Sequence, residues 1–370
     1  MMNSTEIDVN HLQKMLRAGK PVTVLDVRPG EERAEWAIPG SLHLDAYDAL
    51  RARDPAALSE FTAPADRPVV AVCAAGKTSQ LAAQQLRERG FQALSLAGGM
   101  KAWSLAWNQA EVPSSDPDVQ IIQIRRTGKG CLSYLIGSEG RAAVIDASLD
   151  PRVYLDLAQQ HGWQITHVLD THIHADHLSR GRLLAANSGA ALYLPAQNRA
   201  TYPFTAVHDQ DSLHVGAARL TALHTPGHTL ESTCYWLNDD LLLTGDTLFL
   251  SAVGRPDLEA DPAEARRRAY LLYGSLQRLL RLPASTRLLP GHTSEPSPFD
   301  GQPFIASLAQ ARQDIQLLAL SQEAFVETLL QRIPATPPNH HQIVELNEHG
   351  RMPEEDVTEL EAGANRCAVG

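Results

Sequence analysis

Short apolar runs alternate with amphipathic stretches over the first hundred or so residues. Residues 22–27, 69–72 and 93–96 read as buried strands, and residues 78–89 read as a helix with Leu81, Ala82 and Leu86 on one face and Gly90 as its stop. Strands alternating with helices predict a small parallel α/β domain. Further on, apolar runs at 119–124, 131–136, 142–145, 166–169, 191–194, 218–223, 233–237 and 240–244 predict a strand-rich second domain. A helix follows Pro151. Asp261-Pro262-Ala263-Glu264 combines an N-cap, a first-turn proline and a capping-box acid, and opens a helix reaching about residue 282, before Pro283. Helical patterns return near 303–331.

Residues 108–118 hold Pro113, Ser114, Ser115 and Pro117 and little apolar material, which marks a connection. The expected division is a first domain over 1–110, a linker over 111–118, a second domain over 119–350 and a tail over 351–370. The acidic stretch 354–361 is expected to be solvated and partly mobile. No internal repeat or low-complexity tract is evident.

Composition narrows the classes. The chain has 370 residues, 44% of them hydrophobic, enough for two or three packed cores. A net charge of −11 argues against nucleic acid as a partner. Four widely spaced cysteines (Cys73, Cys131, Cys234 and Cys367) give neither a disulfide framework nor a metal-ribbon spacing, and point to a reducing, cytoplasmic setting. The N-terminus, with Glu6 and Asp8, has no apolar core of a secretory signal, and no apolar run is long enough to predict a membrane span.

Cys73 follows the strand at 69–72 and precedes a helix. The connecting Cys73, Ala74, Ala75, Gly76, Lys77, Thr78 and Ser79 form a loop whose amides can converge on the sulfur, with the positive helix end behind them. Both effects favour a thiolate and then a persulfide. Gly76 permits the tight path, and Lys77 adds charge for an anionic donor. From this loop alone, a core cysteine is the competing reading. Around it stand Leu25-Asp26-Val27-Arg28, Glu35-Trp36, Ile38-Pro39-Gly40-Ser41 and Gly98-Gly99-Met100-Lys101-Ala102-Trp103. Together these resemble the rhodanese family over residues 5–107, which implies sulfur transfer with Cys73 as nucleophile. Ala74 departs from the arginine many members carry, which bears on donor preference. Asp26 and Arg28 are expected to hold the loop.

Asp170-Thr171-His172-Ile173-His174-Ala175-Asp176-His177 packs three imidazoles and a carboxylate into six residues after a strand. Each buried imidazole needs partners for both nitrogens, so this density points to metal. His228 in His224-Thr225-Pro226-Gly227-His228, Asp246 in Thr244-Gly245-Asp246-Thr247, and His292 in Pro290-Gly291-His292 each follow a strand candidate. The order HxHxDH, H, D, H resembles the metallo-β-lactamase superfamily over about 119–295. The resemblance implies an αββα sandwich with the metal at one edge of its two sheets, and leaves His224 a bystander.

The resemblance leaves two ligand sets. In the superfamily's hydrolases two zinc ions share the cluster: His172, His174 and His228 would hold one, Asp176, His177 and His292 the other, with Asp246 bridging. In its persulfide dioxygenases one Fe(II) is held by the counterparts of His172, His228 and Asp246, a facial triad of two histidines and a carboxylate. His174, Asp176, His177 and His292 would then orient the ligands. The stretch Gly245–Phe249 with Val253–Leu258, the rhodanese fusion and residues 334–347 resemble the persulfide dioxygenase branch.

The resulting expectation is oxidation of a low-molecular-weight persulfide, such as glutathione persulfide, by O2 to sulfite at one Fe(II) per chain. Cys73 would exchange sulfane sulfur with thiosulfate, thiol or sulfite. Arg255 is expected to bind the anionic substrate, with an ion pair to Asp257 as the other reading. Cys131 and Cys234 are expected in the core, and Cys367 as a loose tail thiol with a sulfur relay as its alternative role. A homo-oligomer, dimer or tetramer, is expected. The competing functions are a dinuclear zinc hydrolase of the hydroxyacylglutathione type joined to a sulfurtransferase, and a non-catalytic sulfur carrier or sensor.

Overall fold

The computed structural model describes residues 5–64, 66–354, 356–363 and 365–370. Positions 1–4 of the expected first domain and Glu355 of the acidic stretch lie outside the described residues.

The first module is a five-stranded sheet in the order Glu6–Ile7, Ala93–Leu96, Val69–Val72, Thr23–Asp26, Leu42–His43, with every pair parallel. Both faces are covered. Val69, Ala71 and Cys73 enter one core with Leu25, Leu50 and Leu86, while Val70 and Val72 enter the other with Leu12, Ile38 and Trp103. This is the period-two logic of a strand buried on both sides.

The second module stacks two sheets. Seven strands run Thr205–Val207, Ala191–Pro195, Gln164–Leu169, Arg141–Ile145, Leu132–Ser138, Gln120–Arg125, Asn108–Val112. Six run Ser212–Val215, Ala218–His224, Thr233–Leu237, Leu241–Gly245, Arg287–Pro290, Ala306–Ser307. Between them Tyr134, Ile136, Ile145, Leu220, Tyr235 and Leu243 form the inner core. On the outside, the helices Pro151–Gln160 and Gly181–Ser188 cover the larger sheet. Pro262–Leu279, Leu308–Asp314 and Gln322–Gln331 cover the smaller one. This is the expected αββα arrangement. Asp261 caps its helix as expected, accepting from the Ala263 and Glu264 amides.

Three segments differ from the sequence reading. Asn108–Val112, placed in the connection, adds an edge strand antiparallel to Gln120–Arg125. Residues 303–307 are not helical, and Ala306–Ser307 pairs with Arg287–Leu288. The tail is docked. Val357–Glu361 is a helix, Ala368–Val369 pairs with Val253–Gly254, and Glu361 and Cys367 are buried. Glu361 bonds Arg126 at 2.7 Å, Arg180, and the Leu178 amide at 2.6 Å, which lets an acidic residue leave solvent.

Candidate metal centre and sulfur loop

Four strands deliver the histidines and carboxylates to one edge of the sandwich. Gln164–Leu169 leads into residues 170–177, Ala218–His224 leads to His228, Leu241–Gly245 to Asp246, and Arg287–Pro290 to His292. Leu241–Gly245 and Arg287–Pro290 are parallel, and Ala218–His224 runs the same way through the antiparallel Thr233–Leu237, so these ends align. Gly245 has φ +49, and a Cβ there would lie 2.6 Å from Thr171 Oγ1, so only glycine fits this turn.

His172, His228 and Asp246 are all buried, and one ligand atom of each lies within 4.8 Å of the others. Asp246 Oδ2 is 3.9 Å from His172 Nε2 and 3.7 Å from His228 Nε2. Donors that share an ion at about 2.1 Å lie within about 4.2 Å of one another. His172 Nε2 and Asp246 Oδ2 carry no hydrogen bond. The tautomers follow from the partners. Thr171 Oγ1 donates to Asp146 Oδ2 at 2.9 Å, so it accepts from His172 Nδ1–H, also at 2.9 Å. His228 Nδ1–H donates to the Arg255 carbonyl at 2.8 Å. Both Nε2 lone pairs therefore face the Asp246 carboxylate. Burial, then the His174 charge, holds His172 well below its usual pKa, and burial also lowers that of His228, which favours neutral donors at both.

The neighbouring residues make a different arrangement. His292 lies between carboxylates, Nδ1 2.6 Å from Asp246 Oδ1 and Nε2 2.9 Å from Asp176 Oδ2. Burial opposes its charge, but Asp176 and Asp246 outweigh burial and hold its pKa well above the usual value. Burial likewise opposes the charge on His177, and Asp176 and then Cys131 push its pKa up to about 10. Asp176, His177 and His292 thus form an ion-paired cluster beside the three-residue site. His174 Nε2 turns away to Asp146 Oδ1 at 3.2 Å, while its Nδ1 and His177 Nε2 are unbonded. The residues present fit a metal ion at His172, His228 and Asp246, and Cys131, Asp176, His177 and His292 likewise bring one ligand atom each within 4.8 Å of the others, a second set of donors beside it.

Several participants escaped the sequence reading. Asp146 sits in the left-handed region at φ 56 and receives the Thr171 amide at 2.7 Å. Asn347 donates to the carbonyls of His174 and His177 and accepts from the Ser179 amide. Asn365 Nδ2 donates to Asp176 Oδ2 at 2.9 Å. Cys131, expected in the core, is buried but brings Sγ to 3.4 Å from Asp176 Oδ2. Cys367 is not a loose thiol: it is buried, with Sγ within 4.8 Å of ligand atoms of Asp246 and His292. Cys234 is a core residue. His224 is exposed, its ring bonded to the Leu230 carbonyl.

Arg255, expected at the substrate, is fully buried. It forks onto Asp257 with two 2.8 Å bonds and donates to the carbonyls of Pro334, Ala335 and Arg366. All five donors are used, so none remains for an anion. The ion pair with Asp257, the other expectation, is the one the structure shows.

In the first module, Cys73 Sγ accepts from the Ser79 amide at 3.3 Å and lies 3.3 Å from Ser79 Oγ, which contacts Ser95 Oγ at 2.9 Å. Gly76, at φ +85, starts the helix Lys77–Glu88, and a Cβ there would reach 2.8 Å from the Gly98 amide nitrogen. Thr78 is buried, while Ala75 and Lys77 are exposed beside the half-buried Ala74. Asp26 and Arg28 form a buried pair at 2.7 Å, and Arg28 also bonds the Trp36 carbonyl. Trp36 Nε1 in turn donates to the Thr127 carbonyl of the second module at 2.9 Å.

Comparison with known proteins identifies the two domains. The family model for the rhodanese-like domain matches residues 8–106, and that for the metallo-beta-lactamase superfamily matches residues 126–292. A hydroxyacylglutathione hydrolase of Methylococcus capsulatus is 32% identical over 215 residues, 55% of this chain and 80% of its own length. Another, of Maricaulis maris, is 36% identical over 156 residues, 41% of this chain and 57% of its own length. Among solved structures, a metallo-beta-lactamase from Staphylococcus aureus has a TM-score of 0.58 at 28% identity, covering 64% of this chain and 74% of that one. ETHE1 from Myxococcus xanthus has a TM-score of 0.52 at 28% identity, covering 65% of this chain and 98% of that one. The chain therefore belongs to the metallo-β-lactamase superfamily, its metal-binding sandwich preceded by a rhodanese-like domain.

Proposed function

We propose that the chain oxidises a low-molecular-weight thiol persulfide with O2 to sulfite at a single Fe(II) held by His172, His228 and Asp246, and that Cys73 exchanges sulfane sulfur with the same pool. The carrying observation is the pair of tautomer locks at Thr171 and the Arg255 carbonyl, which turn two neutral Nε2 atoms onto an unbonded carboxylate oxygen. Two imidazoles and one carboxylate suit non-haem Fe(II) and leave coordination positions open. Bound there, iron would supply the redox chemistry that amino acids lack.

The chain's own groups set the stage. His292 holds a proton toward Asp246 Oδ1 and so leaves Oδ2 for the metal. Phe249, Pro290 and Phe304, with the polar Thr293, Glu295 and Asn365, line a cavity of about 380 Å³ that reaches His292 and offers space for a small substrate. At Cys73 the Ser79 amide steadies negative charge on the sulfur. The structural likeness to ETHE1 supports the oxidative reading.

A second reading, a dinuclear zinc hydrolase, is favoured by the unbonded His174 Nδ1 and His177 Nε2 and by the hydroxyacylglutathione hydrolase relatives. Metal analysis after anaerobic purification separates the two: about one iron per chain is expected, and two zinc ions would support hydrolysis. Retention of persulfide without turnover would leave a carrier or sensor.

A further inference from the structure

With Arg255 consumed by Asp257 and backbone carbonyls, the cation that meets an anionic substrate must lie elsewhere. Among the described residues lining the cavity that reaches His292, Arg366 is the one lysine or arginine and Glu295 the one carboxylate. A second cavity, also of about 380 Å³, lies between the modules and is lined by Ala74 of the sulfur loop, Trp36 and Met100, with Arg28 and Lys101 as further cations and Glu32 and Glu35 as carboxylates. Arg366 lines this one too.

The segment carrying Arg366 separates the two spaces and is pinned to the metal centre. Asn365 bonds Asp176 and its side chain receives the Cys367 amide at 2.8 Å. The Arg255 amide and guanidinium hold the carbonyls of Cys367 and Arg366, both at 3.0 Å. Residues 368 and 369 continue as a strand against Val253–Gly254. The backbone is therefore fixed while the Arg366 side chain is 30% exposed, and its one ion pair among the described residues is a single 3.2 Å contact to the 58%-exposed Glu35 of the first module. A pair this exposed is weak and readily exchanged for another carboxylate.

We infer that Arg366 is an anion-binding residue shared by the two modules, which takes a carboxylate of a small thiol on the sulfur-loop side and retains it on the metal side. This rests on the proposed persulfide chemistry. From the cavity that Ala74 lines, the thiolate attacks the terminal sulfur carried by the buried Cys73. A new S–S bond forms to the thiol, the bond to Cys73 breaks, and its electron pair stays on the Cys73 thiolate. The product is an anionic thiol persulfide that Arg366 can hold as it changes cavities. Releasing Glu35 and accepting the substrate carboxylate is one exchange of partners at one guanidinium.

The test uses the full chain loaded with its metal and S-methylglutathione, an unreactive probe with two carboxylates, titrated by calorimetry. Arg366→Ala should raise its Kd about tenfold, the loss of one charge-assisted contact. Arg366→Lys should recover part of the affinity, and Glu35→Gln should leave it equal or tighter. In oxygen uptake on glutathione persulfide, the Arg366→Ala loss should fall on KM. Kd and KM within twofold of wild type, in a variant with wild-type metal content, would overturn the inference. If the wild type takes up no oxygen but probe affinity still depends on Arg366, the oxidation reading fails and the anion site stands.

Discussion

Replacing Thr171 with valine keeps the shape of the side chain and removes one oxygen that makes two buried bonds, to Asp146 Oδ2 and His172 Nδ1, each 2.9 Å. Without that acceptor, His172 Nδ1–H has no partner in a site where its ring is 1% exposed. The imidazole relieves this by moving its proton to Nε2, which removes the lone pair that faces Asp246. Binding a metal then requires restoring the original tautomer and leaving Nδ1–H unbonded. A buried unsatisfied polar group costs about 1–3 kcal/mol, a factor of about 5–150 in affinity. This agrees with the 10–100-fold loss that follows removal of groups orienting metal ligands. The assay is competition for iron against a graded chelator, under anaerobic conditions, with Thr171→Ser as the control that restores the oxygen. Thr171→Val should weaken iron binding within that range and Thr171→Ser should restore it. Equal affinity in Thr171→Val and wild type would refute the tautomer reasoning.

Separable sites make Cys73→Ser a clean probe: thiosulfate sulfurtransferase activity should fall at least a hundredfold while oxygen uptake on supplied persulfide stays within twofold, and loss of both in folded protein would contradict the division of labour. Asp246→Ala should do the reverse, eliminating iron and oxygen uptake while sulfur transfer through Cys73 persists; iron content near wild type would contradict its place as a ligand. Glu361 gives a pH signature. Burial opposes its charge, but Arg126 and Arg180 hold its carboxyl well below the usual range. A depressed folded pKa adds stability that is complete above the unfolded value, about 4.3 for glutamate, and is lost as pH falls below it. The melting temperature of wild type should exceed that of Glu361→Gln at pH 7, and the gap should close on acidification below about pH 4.3. A gap that is constant with pH would exclude the ion pairs as its source.

Much of this molecule is written in local pattern. Strands buried on both faces, such as Val69–Val72, read as unbroken apolar runs, and the Asp261 cap sits within three residues of the helix it starts. The candidate ligands were legible because each follows a strand in a dense or glycine-framed motif. What escaped depends on distance along the chain. Asn365 reaches Asp176 across 189 positions, and Glu361 reaches Arg180 across 181. No periodicity encodes such contacts, so an acidic, polar C-terminal stretch reads as solvated. For Arg255 the ion pair with Asp257 was legible from their spacing, but its further partners, carbonyls at Pro334 and Arg366, are not revealed by sequence composition. Asn108–Val112 is hard to read as a strand because an edge strand bearing Asn108, Gln109 and Glu111 lacks an apolar run, although Ala110 and Val112 bury one face.

The most direct measurement is oxygen uptake together with sulfite release, on glutathione persulfide, by protein whose iron and zinc contents are known. Sulfane sulfur gives up four electrons in becoming sulfite and O2 accepts four, so one O2 should disappear and one sulfite appear per persulfide, at a rate proportional to iron. Sulfur released with no oxygen consumed, by protein carrying two zinc ions per chain, would contradict the account.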